Sequence, residues 1–249
     1  MPLTVHQFPC LSDNYGFLIR DEATGKVATI DTPDADAILA ELAKLGWSLD
    51  LILNTHWHPD HAGGNAALKT ATGATIAGPA EVTRIAPLDQ TLSGGDTIAL
   101  GETKFDIIDS GGHTLGHIAY HDAADSIAFV GDTLFALGCG RLFEGTPEQM
   151  WDSLSRVAGL PDDTTVYCAH EYTASNARFA LSVDDDPALK ARADQIFAAR
   201  ERGEPTVPTT IKAEKATNPF LRAPLLRPDA ATPAQAFAEI RAAKDSFKG

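Results

Sequence analysis

The first two thirds of the chain gathers its apolar residues into short runs bounded by turn residues, whereas the last third spaces them at helical intervals. Leu3-Thr4-Val5-His6, Tyr15-Gly16-Phe17-Leu18-Ile19 and Val27-Ala28-Thr29-Ile30 read as strands. A helix over 34–45 follows, because Ile38, Leu39, Leu42 and Leu45 fall on one face, Pro33 suits its first turn and Gly46 its C-terminal end. Leu51-Ile52-Leu53 centres a buried strand over 49–55, and Gly63-Gly64 leads a helix over 65–72. Strands are then expected over 75–77, 97–100, 104–108, 118–121, 126–130 and 165–168. Thr146-Pro147-Glu148-Gln149 and Thr232-Pro233-Ala234-Gln235 each place Thr at an N-cap, Pro at the first helical position and Gln where a capping box closes. Beyond residue 173 the pattern turns helical, with amphipathic stretches over 188–202 and 234–247 joined by a Pro- and Thr-rich segment. The expected architecture is α/β, a sheet domain over 1–173 followed by a mainly helical appendage over 174–249.

Charge sharpens this division. The 249 residues carry 20 Lys and Arg against 34 Asp and Glu, and the sequence pI is near 4.8. Residues 1–189 hold 9 of the basic and 27 of the acidic side chains, while residues 190–249 hold 11 and 7. A net anion of this size is repelled by nucleic acid, and 44% apolar residues exclude a disordered chain. No apolar run approaches the ~20 residues of a membrane span, and Met1-Pro2-Leu3-Thr4-Val5 lacks the pattern of a signal peptide. Three cysteines, Cys10, Cys139 and Cys168, make no disulfide framework. The expectation is a cytoplasmic monomer whose partner is a small molecule, neither nucleic acid nor membrane, with an anionic ligand held near the basic appendage.

The segment Thr55-His56-Trp57-His58-Pro59-Asp60-His61 sets four metal-capable side chains within six residues, between a buried strand and the Gly-Gly-led helix. Such a string arises by chance on the order of once per thousand chains with this histidine content. If the strand persists, His56 and His58 point to one side, and Pro59 then turns the chain so that Asp60 and His61 approach from another direction. Three more candidates stand just past or at the ends of predicted strands: His113, Asp132 and His170. Together they offer His56, His58 and His113 to one metal and Asp60, His61 and His170 to a second, with Asp132 bridging through its two oxygens. Imidazole and carboxylate donors suit two divalent ions, zinc foremost, and admit iron or manganese.

This order of ligands resembles that of the metallo-β-lactamase-fold hydrolases, which implies an αββα sandwich with the metal site at one edge. The resemblance narrows to the hydroxyacylglutathione hydrolase (glyoxalase II) family through three stretches. They are Gly138-Cys139-Gly140-Arg141-Leu142-Phe143-Glu144-Gly145, Ala169-His170-Glu171-Tyr172-Thr173, and Asn218-Pro219-Phe220-Leu221-Arg222 with Arg241-x-x-Lys244-Asp245. It implies that Arg141, Phe143, Tyr172, Arg241 and Lys244 contact glutathione; Phe143 stands where the family often has Tyr, so a hydroxyl contact is lost. The implied reaction is hydrolysis of an S-2-hydroxyacylglutathione thioester, such as S-lactoylglutathione, to a 2-hydroxy acid and glutathione. Asp60 would orient the attacking hydroxide and Asp132 would hold the two metals together.

A glutathione persulfide dioxygenase using one iron shares much of this metal motif and is the alternative; Arg241-x-x-Lys244 and the glutathione loop favour the hydrolase. The remaining candidates read as structural. His117 and His121 are surplus to seven ligands, Cys168 is a small buried strand residue, Cys139 has no histidine partner for a nucleophilic role, and Trp57 belongs to the core.

Overall fold

The computed structural model describes residues 3–248; Met1 and Pro2, the start of the stretch read for a leader, lie outside the described residues. Two compact units interleave along the chain, Met1–Asp109 with Gly116–Gly131, and Ser110–Leu115 with Asp132–Gly249.

In the first unit β1 (Leu3–Cys10), β2 (Asn14–Asp21), β3 (Val27–Ile30), β4 (Leu51–Leu53), β5 (Thr75–Gly78) and β6 (Gln90–Thr91) form one sheet in chain order. The first three are antiparallel; from β3 to β6 the pairing is parallel. Parallel neighbours need crossovers, supplied by α1 (Ala35–Leu45) between β3 and β4, and by α2 (Pro59–Ala62) with α3 (Asn65–Thr72) between β4 and β5. Asp34, rather than the first-turn proline expected from the sequence, starts α1. Its side chain accepts from Asp36 N and Ala37 N, and Gly46 ends the helix at φ 67° as the sequence suggests. Strands β7 (Thr97–Leu100), β8 (Thr103–Asp109), β9 (Ile118–Asp122) and β10 (Ile127–Gly131) run as an antiparallel meander in the second sheet.

Alternation along β2 decides the layers. Leu18 points outward with Ile52 and Ile76 against Ile38, Leu42 and Leu68 of the helices. Its neighbour Phe17 points between the sheets, 5.8 Å from the Phe129 ring, which in turn meets Phe105. Fully burying each such side chain is worth about 1.5–3 kcal/mol. Tyr120, wholly buried among them, donates its hydroxyl to Asn54 O at 2.6 Å.

The second unit opens with the short hairpin β11 (Leu134–Phe135) and β12 (Gly138–Cys139), then α4 (Pro147–Ala158), β13 (Thr165–Cys168), α5 (Thr173–Val183) and α6 (Pro187–Glu201). β14 (Thr209–Thr210) pairs with β13 and is followed by α7 (Ile211–Thr217), α8 (Ala223–Leu226) and α9 (Pro233–Ser246). Thr146 and Thr232 cap α4 and α9 as expected, accepting from Gln149 N and Gln235 N. The core joins Leu137 to Ala177, Ala180, Leu189, Ala193 and Ile196, and a file of rings runs Phe179, Phe220, Phe237, Trp151. The buried Glu214 accepts from Leu137 N at 2.9 Å and pairs with Arg192; Asn218 Nδ2 donates to Phe135 O and Gly138 O. The Asn218-Pro219-Phe220 stretch thus holds the hairpin that follows Asp132.

These features give the expected α/β architecture, two sheets with helices against them, and a C-terminal mainly helical region. Among the described residues no helix is long and apolar enough to cross a membrane.

Candidate active site

Strand β4 ends at Leu53, so pleat alternation does not reach His56 and His58 as the sequence suggested. Buried hydrogen bonds set them instead. Asp31, just past β3 at φ 58°, accepts from Thr55 N at 2.7 Å and from Thr55 Oγ1 at 2.8 Å. It also lies 2.8 Å from His61 Nδ1. A carboxylate only accepts, so His61 carries a proton on Nδ1, and in the neutral ring the Nε2 lone pair is turned toward Asp60 Oδ2, 3.4 Å away. Thr55 Oγ1 has given its proton to Asp31, so at 3.0 Å it accepts from His56 Nδ1. The His56 Nε2 lone pair then faces His58 Nδ1 at 3.0 Å. Pro59 opens the one-turn helix α2, which carries Asp60 and His61. One acidic side chain outside the motif thereby fixes two tautomers, and its left-handed backbone is the kind of strain that surrounding bonds must hold.

In the second unit His113, Asp132 and His170 meet. His113 Nδ1 donates to Arg141 O at 2.7 Å, which in the neutral imidazole leaves the Nε2 lone pair 3.2 Å from Asp132 Oδ2. His170 Nε2 stands 3.3 Å from Asp132 Oδ1, and the Tyr172 ring stacks on His170 at 4.7 Å and 3°. Each Asp132 oxygen therefore faces its own imidazole. An acceptor opposed to an acceptor at that distance is repulsive in a neutral site and attractive once a cation sits between them, so the donor set fits divalent metal.

The five residues expected to bind glutathione all belong to the second unit. Phe143 is 61% exposed and its ring meets His113 edge-on at 5.2 Å. Arg141 is exposed, with Nε 3.8 Å from Asp245 Oδ1. Arg241 is buried: it donates to Asp245 Oδ1 at 2.7 Å and to Cys139 O at 3.1 Å, and lies over the Phe220 ring. Lys244 is half-buried, donating to Ser175 O and Oγ and lying 5.4 Å from the Phe179 ring. Burial, aided by Arg241 and Arg178, lowers its ammonium to about 8.

The residues read as structural are placed as follows. His117 is buried and stacks on His56 at 4.7 Å; His121 is buried and its pKa is lowered by desolvation. Cys168 and Cys139 are buried, which pushes their thiols up to about 12 and about 11. Trp57 is only half-buried rather than part of the core as expected: its ring lies near the surface with the Arg84 guanidinium over it at 4.8 Å. Asp31 escaped the sequence reading, although it stands after a strand in Thr29-Ile30-Asp31 much as Asp132 does in Val130-Gly131-Asp132.

Residues 17–170 match the metallo-beta-lactamase superfamily and residues 171–247 match the hydroxyacylglutathione hydrolase C-terminus. The chain is 55% identical to the hydroxyacylglutathione hydrolase of Erythrobacter litoralis, over 98% of this chain and 100% of that one. It is 56% identical to that of Maricaulis maris, over 98% and 99%. Among solved structures, ETHE1 from Myxococcus xanthus superposes with a TM-score of 0.71 at 28% identity, covering 96% of this chain and 90% of that one. TTHA1623 in a di-iron-bound form gives 0.64 at 25%, covering 88% and 100%. Two contiguous family segments and near full-length identity above 50% leave one assignment: the chain belongs to the hydroxyacylglutathione hydrolase family of metallo-β-lactamase-fold enzymes.

Proposed function

We propose that the protein hydrolyses S-2-hydroxyacylglutathione thioesters, such as S-lactoylglutathione, to a 2-hydroxy acid and glutathione. The match of residues 171–247 carries this reading, because the sandwich hosts many chemistries and the helical segment is the part that recognises glutathione in this family. Residues 1–173 are read as the catalytic domain and 174–249 as the glutathione-binding domain. His56, His58, Asp60, His61, His113, Asp132 and His170 are the proposed ligands of two divalent ions, zinc foremost with iron or manganese as alternatives. When bound, such a pair supplies a hydroxide nucleophile near neutral pH and stabilises the oxyanion that forms on the thioester carbonyl.

The chain's own groups do the rest. Asp31, Thr55 and Arg141 O keep His61, His56 and His113 in the tautomer that leaves Nε2 unprotonated. Asp60 would accept a hydrogen bond from the nucleophile's O–H and so orient it, and Asp132 would help to hold the two ions. Phe143 and Tyr172 present apolar faces to the glutathione backbone, and Arg141 and Lys244 supply charge for its carboxylates, with Arg241 holding the loop between them. The leaving thiolate needs little acid assistance because thiols ionise near a pKa of about 8.5. Buried free cysteines fit a reducing cytoplasm, and we read the protein as a monomer acting on this small molecule. Metal-loaded protein should consume S-lactoylglutathione with release of free thiol. Oxygen uptake on glutathione persulfide without thioester turnover would instead establish the mononuclear-iron dioxygenase.

A further inference from the structure

We infer that Asn14 is a positioning residue for Asp60, setting which carboxylate oxygen Asp60 turns toward the metal centre; this rests on the reading of Asp60 as a ligand. Asn14 opens β2 in register with Cys10, directly after a turn in which Leu11 takes φ 49°, and its side chain is buried. Its Nδ2 lies 3.1 Å from Asp60 Oδ2 and 3.3 Å from Asp60 O. Both partners are acceptors, so the amide must be oriented with its NH2 toward Asp60, and the two hydrogens of one nitrogen serve one residue.

The need for such a tether follows from where Asp60 sits. Helix α2 has four residues, and its N-cap His58 makes no side-chain capping bond. A single turn has little stability of its own. The Asp60 side chain is 38% exposed against 1% for His61, so burial does not select its rotamer. The contact to the carbonyl ties the helix backbone to β2, and the contact to Oδ2 stops rotation of the carboxylate, leaving Oδ2 beside His61 Nε2 at 3.4 Å. The ordering entropy of the ligand is thereby spent during folding rather than on metal binding.

The test uses the full-length, metal-loaded protein with Asn14→Leu, which keeps the volume and removes the donor, Asn14→Ala as a second variant should the first not fold, and Asp60→Asn as reference. Metals per chain and the dissociation constant of the weaker-held ion are read by chelator competition, alongside kcat, KM and thermal unfolding. The expected result is a weaker ion affinity by about 10- to 100-fold and a lower kcat at little-changed KM. Combining Asn14→Leu with Asp60→Asn should add nothing to the loss of affinity in Asp60→Asn alone, because the amide acts through that carboxylate. Unchanged ion affinity in folded Asn14 variants, with Asp60→Asn impaired, overturns the positioning role, as does an additive loss in the double variant. Unchanged affinity in Asp60→Asn itself overturns the ligand reading instead.

Discussion

Lys244 loses its charge inside the working range of ordinary assays, since burial and two neighbouring guanidinium groups hold it at about 8. A lysine at that value is charged in ~90% of molecules near pH 7 and in ~10% near pH 9, so affinity carried by the charge falls up to about tenfold between them. The side chain is half-buried, and solvent screening brings the expectation to about three- to tenfold. KM for S-lactoylglutathione should therefore rise with pH while kcat follows the metal centre. Lys244→Arg, which stays charged throughout, should hold KM level, and Lys244→Gln should start with a raised KM and show no slope from this position. Steady-state kinetics of the three proteins at two ionic strengths isolates the effect, because any titration of the substrate is common to all. A wild-type slope equal to that of Lys244→Gln refutes the docking role. Stability runs the other way: the folded value lies below the ordinary 10.5, so the unfolded chain binds the proton more tightly between about 8 and 10.5, and this group's contribution to stability rises with pH across that window.

Three further outcomes follow from the site. Asp132→Asn should lower metal content and turnover together, because it removes the charge that holds two cations close; wild-type activity on elemental analysis showing both metals would disprove the bridge. Asp31→Ala should weaken metal binding by about 10- to 100-fold and lower stability by roughly 1–3 kcal/mol, read by chelator competition and denaturant unfolding, as Thr55 and His61 lose their common acceptor. The thiols of Cys10, Cys139 and Cys168, buried and pushed up to about 12, 11 and 12, should resist iodoacetamide in the native protein and react only on unfolding.

The sequence discloses elements whose apolar period survives for several residues. β3 and β7 coincide with the turn-bounded runs read as strands, and α1, α3 and α9 fall within a residue of their expected limits. The strands β6, β11, β12 and β14 are two residues each, too short for any period to register. Helix α5 buries mostly small or polar residues, Thr173, Asn176, Ala177 and Ala180 beside Phe179, so its buried face is weakly marked in the sequence. The interleaving of the compact units is hidden for the same reason. It depends on contacts such as Ser153 Oγ to Gly111 O, 42 positions apart, which leave no local trace. At the histidine motif the candidate side chains and their order can be read from the sequence, whereas Asp31 and Asn14 cannot, because each acts on residues 24 to 46 positions downstream.

Arg241 and Lys244 show how equal spacing becomes unequal chemistry. Three positions apart on α9, they share a face, and the family resemblance gives both to glutathione. Their surroundings differ. The Arg241 guanidinium is already engaged by Asp245, by Cys139 O and by the Phe220 ring, and redirecting it to a ligand would take the donor from the buried Cys139 carbonyl. The bond to Cys139 O anchors the end of β12, from which Gly140-Arg141 departs, and Asp245 also draws Arg141 Nε at 3.8 Å. Arg241 is thus best placed to order the loop that carries Arg141, which in turn accepts His113 Nδ1–H through its backbone carbonyl. Lys244 is half-exposed and its ammonium is held by neutral oxygens of Ser175, so among the described residues no carboxylate is bonded to it and its charge is left for one on a ligand. On the proposed function the final helix serves the reaction twice, by presenting one cation to the substrate and by using the other to hold a loop whose backbone fixes His113, one of the proposed metal ligands.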